Sequence, residues 1–157
     1  MARRPYQLIV VGKLKHRYTQ EGVKLYLERL GNYRKLILTE VRDADPTLPL
    51  PKRLEQEATR ILKALPKECL PFILDEKGQS LSSVQLAKLL KTYDEQGTGP
   101  LAFIIGGPFG LAEEVKAKAR QCLSLSALTL PHELARLVLL EQLYRAETIM
   151  ANSPYHH

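Results

Sequence analysis

Five short apolar runs alternate with five segments of helical period along this chain, and that alternation restricts the fold more than any other feature. The runs are residues 6–12 (Y-Q-L-I-V-V-G), 35–41 (K-L-I-L-T-E-V), 71–75 (P-F-I-L-D), 101–105 (L-A-F-I-I) and 122–125 (C-L-S-L). A strand covered on both faces is apolar along its whole length, which is the character of parallel sheets. Between the runs lie segments whose apolar residues recur at helical spacing: from 19 or 20 to 30, closed by Gly31, then 52–65, ended by Pro66, then 82–96, capped by Ser82 and broken at Gly97. Residues 111–120 and 132–151 complete the set, while 43–51, with three prolines, and 76–80, around Gly78, read as loop and turn. The order β-α repeated five times predicts an α/β fold with a largely parallel sheet and helices on both faces. No internal repeat, low-complexity stretch or linker divides the 157 residues, so one domain is expected over 1–157.

The last helix is unusual. Leu134, Leu137, Val138, Leu139, Leu140 and Leu143 leave little of its circumference polar, and a helix apolar on most sides needs more cover than one small sheet gives. Core burial meets that need, and so does a second copy of the chain.

The net charge of +6 is concentrated at the N-terminus. Residues 1–35 hold nine basic side chains against Glu21 and Glu28, a local charge of +7, whereas residues 36–157 balance at −1. Such asymmetry points to a polyanion, for which nucleic acid is the usual soluble form; a solvated face would carry the same charges. Lys13, Lys15 and Arg17 are the candidate contacts. No apolar stretch reaches the roughly 20 residues of a membrane span, and residues 8–11 are too short for a signal-peptide core, so a cytoplasmic protein with no membrane partner is expected. Cys69 and Cys122 sit among apolar neighbours, as small buried hydrophobes do. With His16, His132, His156 and His157 they form no zinc-type spacing, and no metal is expected.

Neither a P-loop nor a serine nucleophile elbow is present; G-Q-S-L-S at 78–82 lacks the closing glycine of the latter. Two segments suggest a ligand. G-G-P-F-G at 106–110 follows a buried strand, where open α/β sheets bind small molecules and glycines permit close backbone approach. L-S-A-L-T-L at 125–130 fits no secondary-structure period, and its backbone groups need partners that either the protein or a bound purine can supply.

The motifs I-G-G-P-F-G (105–110), L-S-L-S-A-L-T-L-P-H (123–132), L-Y-R-A (143–146) and P-Y-H (154–156) together resemble the RlmH family, small ribosomal RNA methyltransferases of the SPOUT superfamily. The resemblance spans essentially the whole chain. It implies a parallel-sheet SPOUT fold with a C-terminal deep trefoil knot, a homodimer, S-adenosylmethionine as cofactor, and methylation of N3 of a pseudouridine in 23S rRNA of the assembled ribosome. Carried over by position, it places the cofactor at Leu74, Gly106, Leu125, Ser126, Ala127, Leu128, Thr129 and Leu130. The rRNA surface falls on Arg136, Tyr144 and Arg145, and the catalytic tail on Tyr155 and His156. Members commonly follow Y-H with Arg or Lys, where this chain ends in His157.

Methyl transfer to N3 requires loss of the N3 proton, and an imidazole has the intrinsic acidity for that task. His156 is therefore the candidate base, with Tyr155 beside it to stack on or hydrogen-bond the substrate. A frayed, inert tail is the plain alternative for both. The competing function is a non-catalytic ribosome-binding factor of the same fold, which would have no need of the glycine loop or of the 125–130 segment.

Overall fold

The computed structural model describes residues 3–157. Five parallel strands, β1 (Tyr6–Val11), β2 (Leu36–Val41), β3 (Leu70–Ser80), β4 (Leu101–Ile105) and β5 (Gln121–Ser124), form one sheet in the order β2-β1-β4-β3-β5. The helices are α1 (Arg17–Gly31), α2 (Leu50–Ala64), α3 (Ser83–Gln96), α4 (Glu113–Lys116) and α5 (His132–Met150). Successive side chains of a strand point to opposite faces, so β1 divides its residues between two cores. Tyr6, Leu8 and Val10 join Phe72, Phe103 and the buried leucines of α5 on one side. Ile9 and Val11 join Ile73, Ile104, Ala58 and Ile61 on the other, under α2 and α4.

Most expected elements stand within a residue or two of their limits. α3 has both of its sequence signals: Ser82 and Gln85 form a reciprocal capping box, and Gly97 ends the helix at φ +63°. Two expectations are corrected. Residues 76–80 are not a free turn but the continuation of β3, because Gln79 and Ser80 pair with Leu123 and Ser124 after a bulge between Leu74 and Gln79. Gly78 permits this: a Cβ there would sit 2.7 Å from the Cys122 carbonyl carbon. The helix expected over 111–120 shrinks to α4: Leu111 and Ala112 precede it in extended chain packed on the Val11, Ile61 and Ile104 side of the core, and Arg120 N already donates to Pro71 O at 2.7 Å. Both cysteines are half-buried and free rather than fully enclosed.

α5 finds much of its cover inside the chain, lying between α1 and α3 over the sheet. At Gly22 of α1 the crossing is close, for an added Cβ would lie 2.8 Å from Leu137 Cδ1. Leu134, Leu137 and Val138 nevertheless stay partly exposed. The N-terminal charge excess is also smaller at the surface than in the sequence. Arg34 is buried, donating to Arg4 O at 2.8 Å and to Asp94 at 3.0 Å, with its guanidinium 3.8 Å over the Tyr6 ring. Arg3 pairs with Asp94 and with the fully buried Glu147, which also accepts from Tyr6 Oη at 2.7 Å. Those two arginines are structural.

Candidate functional site

At the carboxyl ends of β4 and β5, the place where open parallel sheets hold ligands, and beside the bulge in β3, lies a cavity of about 380 Å³. Three segments that are distant in sequence wall it: the β3 bulge with Leu74, Asp75, Glu76 and Lys77, the glycine loop 106–110, and the irregular segment after β5. Of the eight positions expected to hold a cofactor, Leu74, Gly106, Leu125, Ser126, Leu128, Thr129 and Leu130 line this cavity and Ala127 does not.

Local chemistry explains the walls. The glycine loop is closed on itself by a bridge between Gly107 and Gly110, with Gly110 at φ +84°. An added Cβ on Gly106 would lie 2.6 Å from Gly110 O, so the absence of a side chain serves this internal closure. The 125–130 segment is held by its own side chains: Ser124 Oγ donates to Ser126 O at 2.9 Å, and Ser126 Oγ accepts from Leu128 N at 2.9 Å. Thr129 Oγ1 donates to Glu76 at 2.8 Å, tying this segment to the β3 bulge across the cavity. Phe109 and Leu128, 61% and 75% exposed, stand at the rim as apolar surface with no core to join.

Sequence reasoning missed the ionic part of the cavity. Asp75 receives the Lys77 backbone N–H at 3.0 Å and faces Lys116 Nζ at 3.3 Å, and the first of these, aided by the second, holds its carboxyl below the usual range. His132, at the start of α5, also lines the cavity, and burial lowers its pKa, with Arg136 and Lys15 acting in the same direction against Glu133. A neutral imidazole therefore stands at the mouth. The residue types were in view in the sequence; the bulge that delivers Asp75, Glu76 and Lys77, and the packing that sets Lys116 and His132 beside them, were not.

The expected rRNA contacts and tail are elsewhere. Arg136, expected at a surface, is 1% exposed, and it donates to Glu40 at 2.8 Å and to Gly12 O at 3.0 Å. Its Nε has no partner among the described residues. Tyr144, Arg145, Tyr155 and His156 do cluster. The Tyr155 ring lies 4.6 Å from Tyr144 and 4.7 Å under the Arg145 guanidinium, and its hydroxyl donates to Glu141 at 3.1 Å. Burial, the Tyr26 hydroxyl and Glu141 push the Tyr155 pKa up to about 12, so Tyr155 is a proton donor at neutral pH. Arg145 also bonds Glu141 at 2.7 Å, and its Nη1 is 3.1 Å from His156 Nδ1. A guanidinium can only donate; Nδ1 is therefore the acceptor, and the neutral ring carries its proton on Nε2. This cluster sits about 15 Å along α5 from Ala135 at the cavity, ten residues at 1.5 Å each.

The fold is shared with solved methylases. A probable methylase family protein of Haemophilus influenzae aligns over 97% of this chain and 70% of its own, with TM-score 0.56 and 14% identity. A probable methyltransferase of Bordetella pertussis aligns over 91% and 95%, also with TM-score 0.56, at 15% identity. The fold is therefore of the class these α/β methylases share. In sequence, residues 5–156 match the family described as predicted SPOUT methyltransferase. Ribosomal RNA large subunit methyltransferase H of Desulfovibrio desulfuricans is 48% identical over 157 residues, all of both chains. Its namesake in Prochlorococcus marinus is 46% identical over 151 residues, 96% of this chain and 91% of that one. The chain belongs to the SPOUT methyltransferase family, among the proteins named ribosomal RNA large subunit methyltransferase H.

Proposed function

We propose that this protein methylates N3 of a pseudouridine in 23S rRNA of the assembled ribosome, using S-adenosylmethionine, as a cytoplasmic homodimer. The observation that carries the reading is the convergence of Leu74, Gly106 and the 125–130 segment on one cavity, in a chain that aligns with the whole of a relative so named. The cavity suits the donor: its volume lies within the roughly 300–1,000 Å³ of small-molecule sites, leucines offer faces to a purine, and carboxylates and lysines lie at the bulge for polar groups. When bound, S-adenosylmethionine supplies an electrophilic methyl on a sulfonium.

The chain's own residues then have three tasks. Leu74, Leu125, Leu128 and Leu130 enclose the donor and exclude water, while Gly106, Ser126 and Thr129 form the wall that orients it. Tyr144, Arg145, Lys13, Lys15 and Arg17 bind the RNA, and Arg136 positions the Gly12 end of the basic loop. Tyr155 donates to or stacks on the target base. His156 takes the N3 proton at Nδ1 once Arg145 has moved from that nitrogen to a phosphate, so RNA binding itself exposes the base.

The tail's distance from its own cavity supports a homodimer in which each tail completes the partner's site. The partly exposed Leu134 and Val138 give α5 a face for that contact. A deep trefoil knot belongs to the same reading. Its support is that the chain leaves β5 at the sheet edge and returns across β3 to lay α5 between α1 and α3.

The test is transfer of labelled methyl from S-adenosylmethionine to ribosomes that lack the modification, followed by mass mapping of the modified nucleoside. Label on N3 of a pseudouridine is expected. Donor and ribosome binding without transfer would favour the non-catalytic factor.

A further inference from the structure

α5 commits two buried charged side chains to one short loop. Arg136 Nη2 donates to Gly12 O at 3.0 Å. Three residues earlier, Glu133 Oε1 accepts from Lys15 N at 2.9 Å, His16 N at 3.2 Å and Thr19 Oγ1 at 2.8 Å, while its Oε2 lies 3.0 Å from His16 Nδ1. From α1, Gln20 Nε2 donates to Leu14 O at 2.9 Å. The backbone of residues 12–16 is thereby held from two helices; Leu14 packs against the core, and the side chains of Lys13, Lys15 and His16 are left outside. Lys13, Lys15, His16 and Arg17 are exposed; besides the buried Glu133 on His16, Glu21 beside Arg17 is the one acidic side chain bonded to them among the described residues. Tyr18 is 56% exposed, its ring centroid 5.9 Å from that of His16 and tilted 46° to it. A large ring on a helix surface with no core to fill is a face for something else to cover. Glu133 also occupies the backbone N–H groups at the entry to α1, so any anion must be held by the side chains.

The place of the loop is informative. His132 lines the cavity and Glu133 follows it in the chain, so the loop is fixed to the cavity mouth through one turn of helix. Neither Tyr18, His16 nor Glu133 is used by the transfer chemistry above.

We propose that residues 13–18 are a docking site for a single-stranded stretch of RNA flanking the target base, with the cations on its phosphates and an unpaired base stacked on Tyr18. Cationic and aromatic groups interleaved in this way suit single strands, because a base inside a duplex offers no free face to a side chain. Glu133 is the positioning residue that holds this surface in register with the cavity. The inference rests on the reading that the substrate is RNA.

The experiment compares Tyr18→Ala, Tyr18→Phe and Glu133→Gln with the parent protein, measuring kcat and KM for unmodified ribosomes and Kd for S-adenosylmethionine. A fluorescent oligouridine and a duplex RNA of equal length are the binding probes. Tyr18→Ala should raise the ribosome KM about 5- to 150-fold, the range of a missing base–aromatic stack, with donor Kd unchanged. Tyr18→Phe, which keeps the ring, should restore it. Oligouridine binding should weaken in Tyr18→Ala while duplex binding does not, and Glu133→Gln should raise the ribosome KM without moving the donor Kd. Equal ribosome KM and oligouridine affinity in Tyr18→Ala and parent would overturn the site, and so would a loss that Tyr18→Phe shares. If the parent transfers no methyl to ribosomes, the RNA methyltransferase reading fails instead, and the oligouridine measurement still decides the docking site.

Discussion

Gly106→Ala separates two reasons for a glycine at the cavity wall. The added Cβ would lie 2.6 Å from Gly110 O and 2.8 Å from Gly110 C, both backbone atoms of a loop closed by its own bridge, and 3.0 Å from Leu111 Cδ2. No side-chain rotation relieves the first two contacts, so the loop must open. Overpacking of this kind costs about 1–3 kcal/mol, which for a domain of this length lowers Tm by roughly 2–12 °C. Because the displaced loop is one wall of the cavity, donor affinity should fall with it. Gly107→Ala is the control: its Cβ would meet Glu57 Oε1 and Val11 Cγ1 at 3.4 Å, a tight contact with a side-chain carboxylate that can shift. Calorimetric titration with S-adenosylmethionine and S-adenosylhomocysteine, beside thermal melts, reads both effects. Gly106→Ala should lose stability and affinity together and Gly107→Ala much less of each. Parental Tm and affinity in Gly106→Ala would refute the internal-closure account. Parental Tm with lost affinity would return the glycine to direct approach by the ligand.

Four further outcomes are expected. Burial pushes the Glu133 pKa up, but hydrogen bonds from Thr19, Lys15 and His16 outweigh it and hold the group at about 2, below its ordinary value of 4.5. A carboxylate depressed by folding stabilises fully above its unfolded pKa and loses that contribution as pH falls from about 4.5 toward 2, so acid melts of Glu133→Gln should lack that part of the parent's loss. Reversal of Lys13, Lys15 and Arg17 to Glu should weaken ribosome binding and flatten its salt dependence, by about 0.7–0.9 in log–log slope for each phosphate no longer neutralised, with donor affinity intact; an unchanged slope would make these charges a solvated face. Ending the chain after Asn152 removes Tyr155 and His156 but no fully buried side chain, so the shortened protein should fold, dimerise and bind donor without transferring methyl. His156→Ala alone should slow turnover by the roughly 10²–10⁴-fold of a missing acid–base group, and full activity in the shortened protein would move the base to His132 at the cavity.

The elements set by local pattern were legible in the sequence. β4 occupies the five apolar residues before the glycines, and α3 starts and stops at its cap signals. The two glycine- and leucine-rich segments flagged for a ligand do share one cavity. What local pattern does not carry is contact between distant parts. Gly78 looks like a turn until β5 lies against it, and the bulge it permits is what delivers Asp75, Glu76 and Lys77 to the cavity. Arg34 and Arg136 count as surface charge in any tally of the sequence, yet each is buried against carboxylates and carbonyls from other elements. Glu133 gave no signal, since an acidic residue in the first turn of a helix is ordinarily explained by the helix dipole.

α5 gives these parts a common geometry. Its first turns hold the cavity mouth through His132 and Ala135, and the basic loop through Glu133 and Arg136. Its later turns hold the tail, where Glu141 fixes both Arg145 and Tyr155, and Arg145 in turn meets His156. A rigid helix cannot bring its two ends together, so within one chain the cavity and the tail stay about 9–15 Å apart along its axis, measured from Ala135 to Glu141 and Arg145. The proposed reaction needs donor, basic loop and tail at one base. Two copies paired along the partly exposed α5 face satisfy this if they run antiparallel, because each tail then lies against the cavity end of its partner. It follows that mixing a tail-less subunit with one carrying Gly106→Ala should restore a single working site per mixed dimer, formed from the intact cavity of the first and the intact tail of the second. Activity that stays absent in the mixture, with mixed dimers shown by mass spectrometry to have formed, would place cavity and tail of the same chain in one site and remove the basis for the paired arrangement.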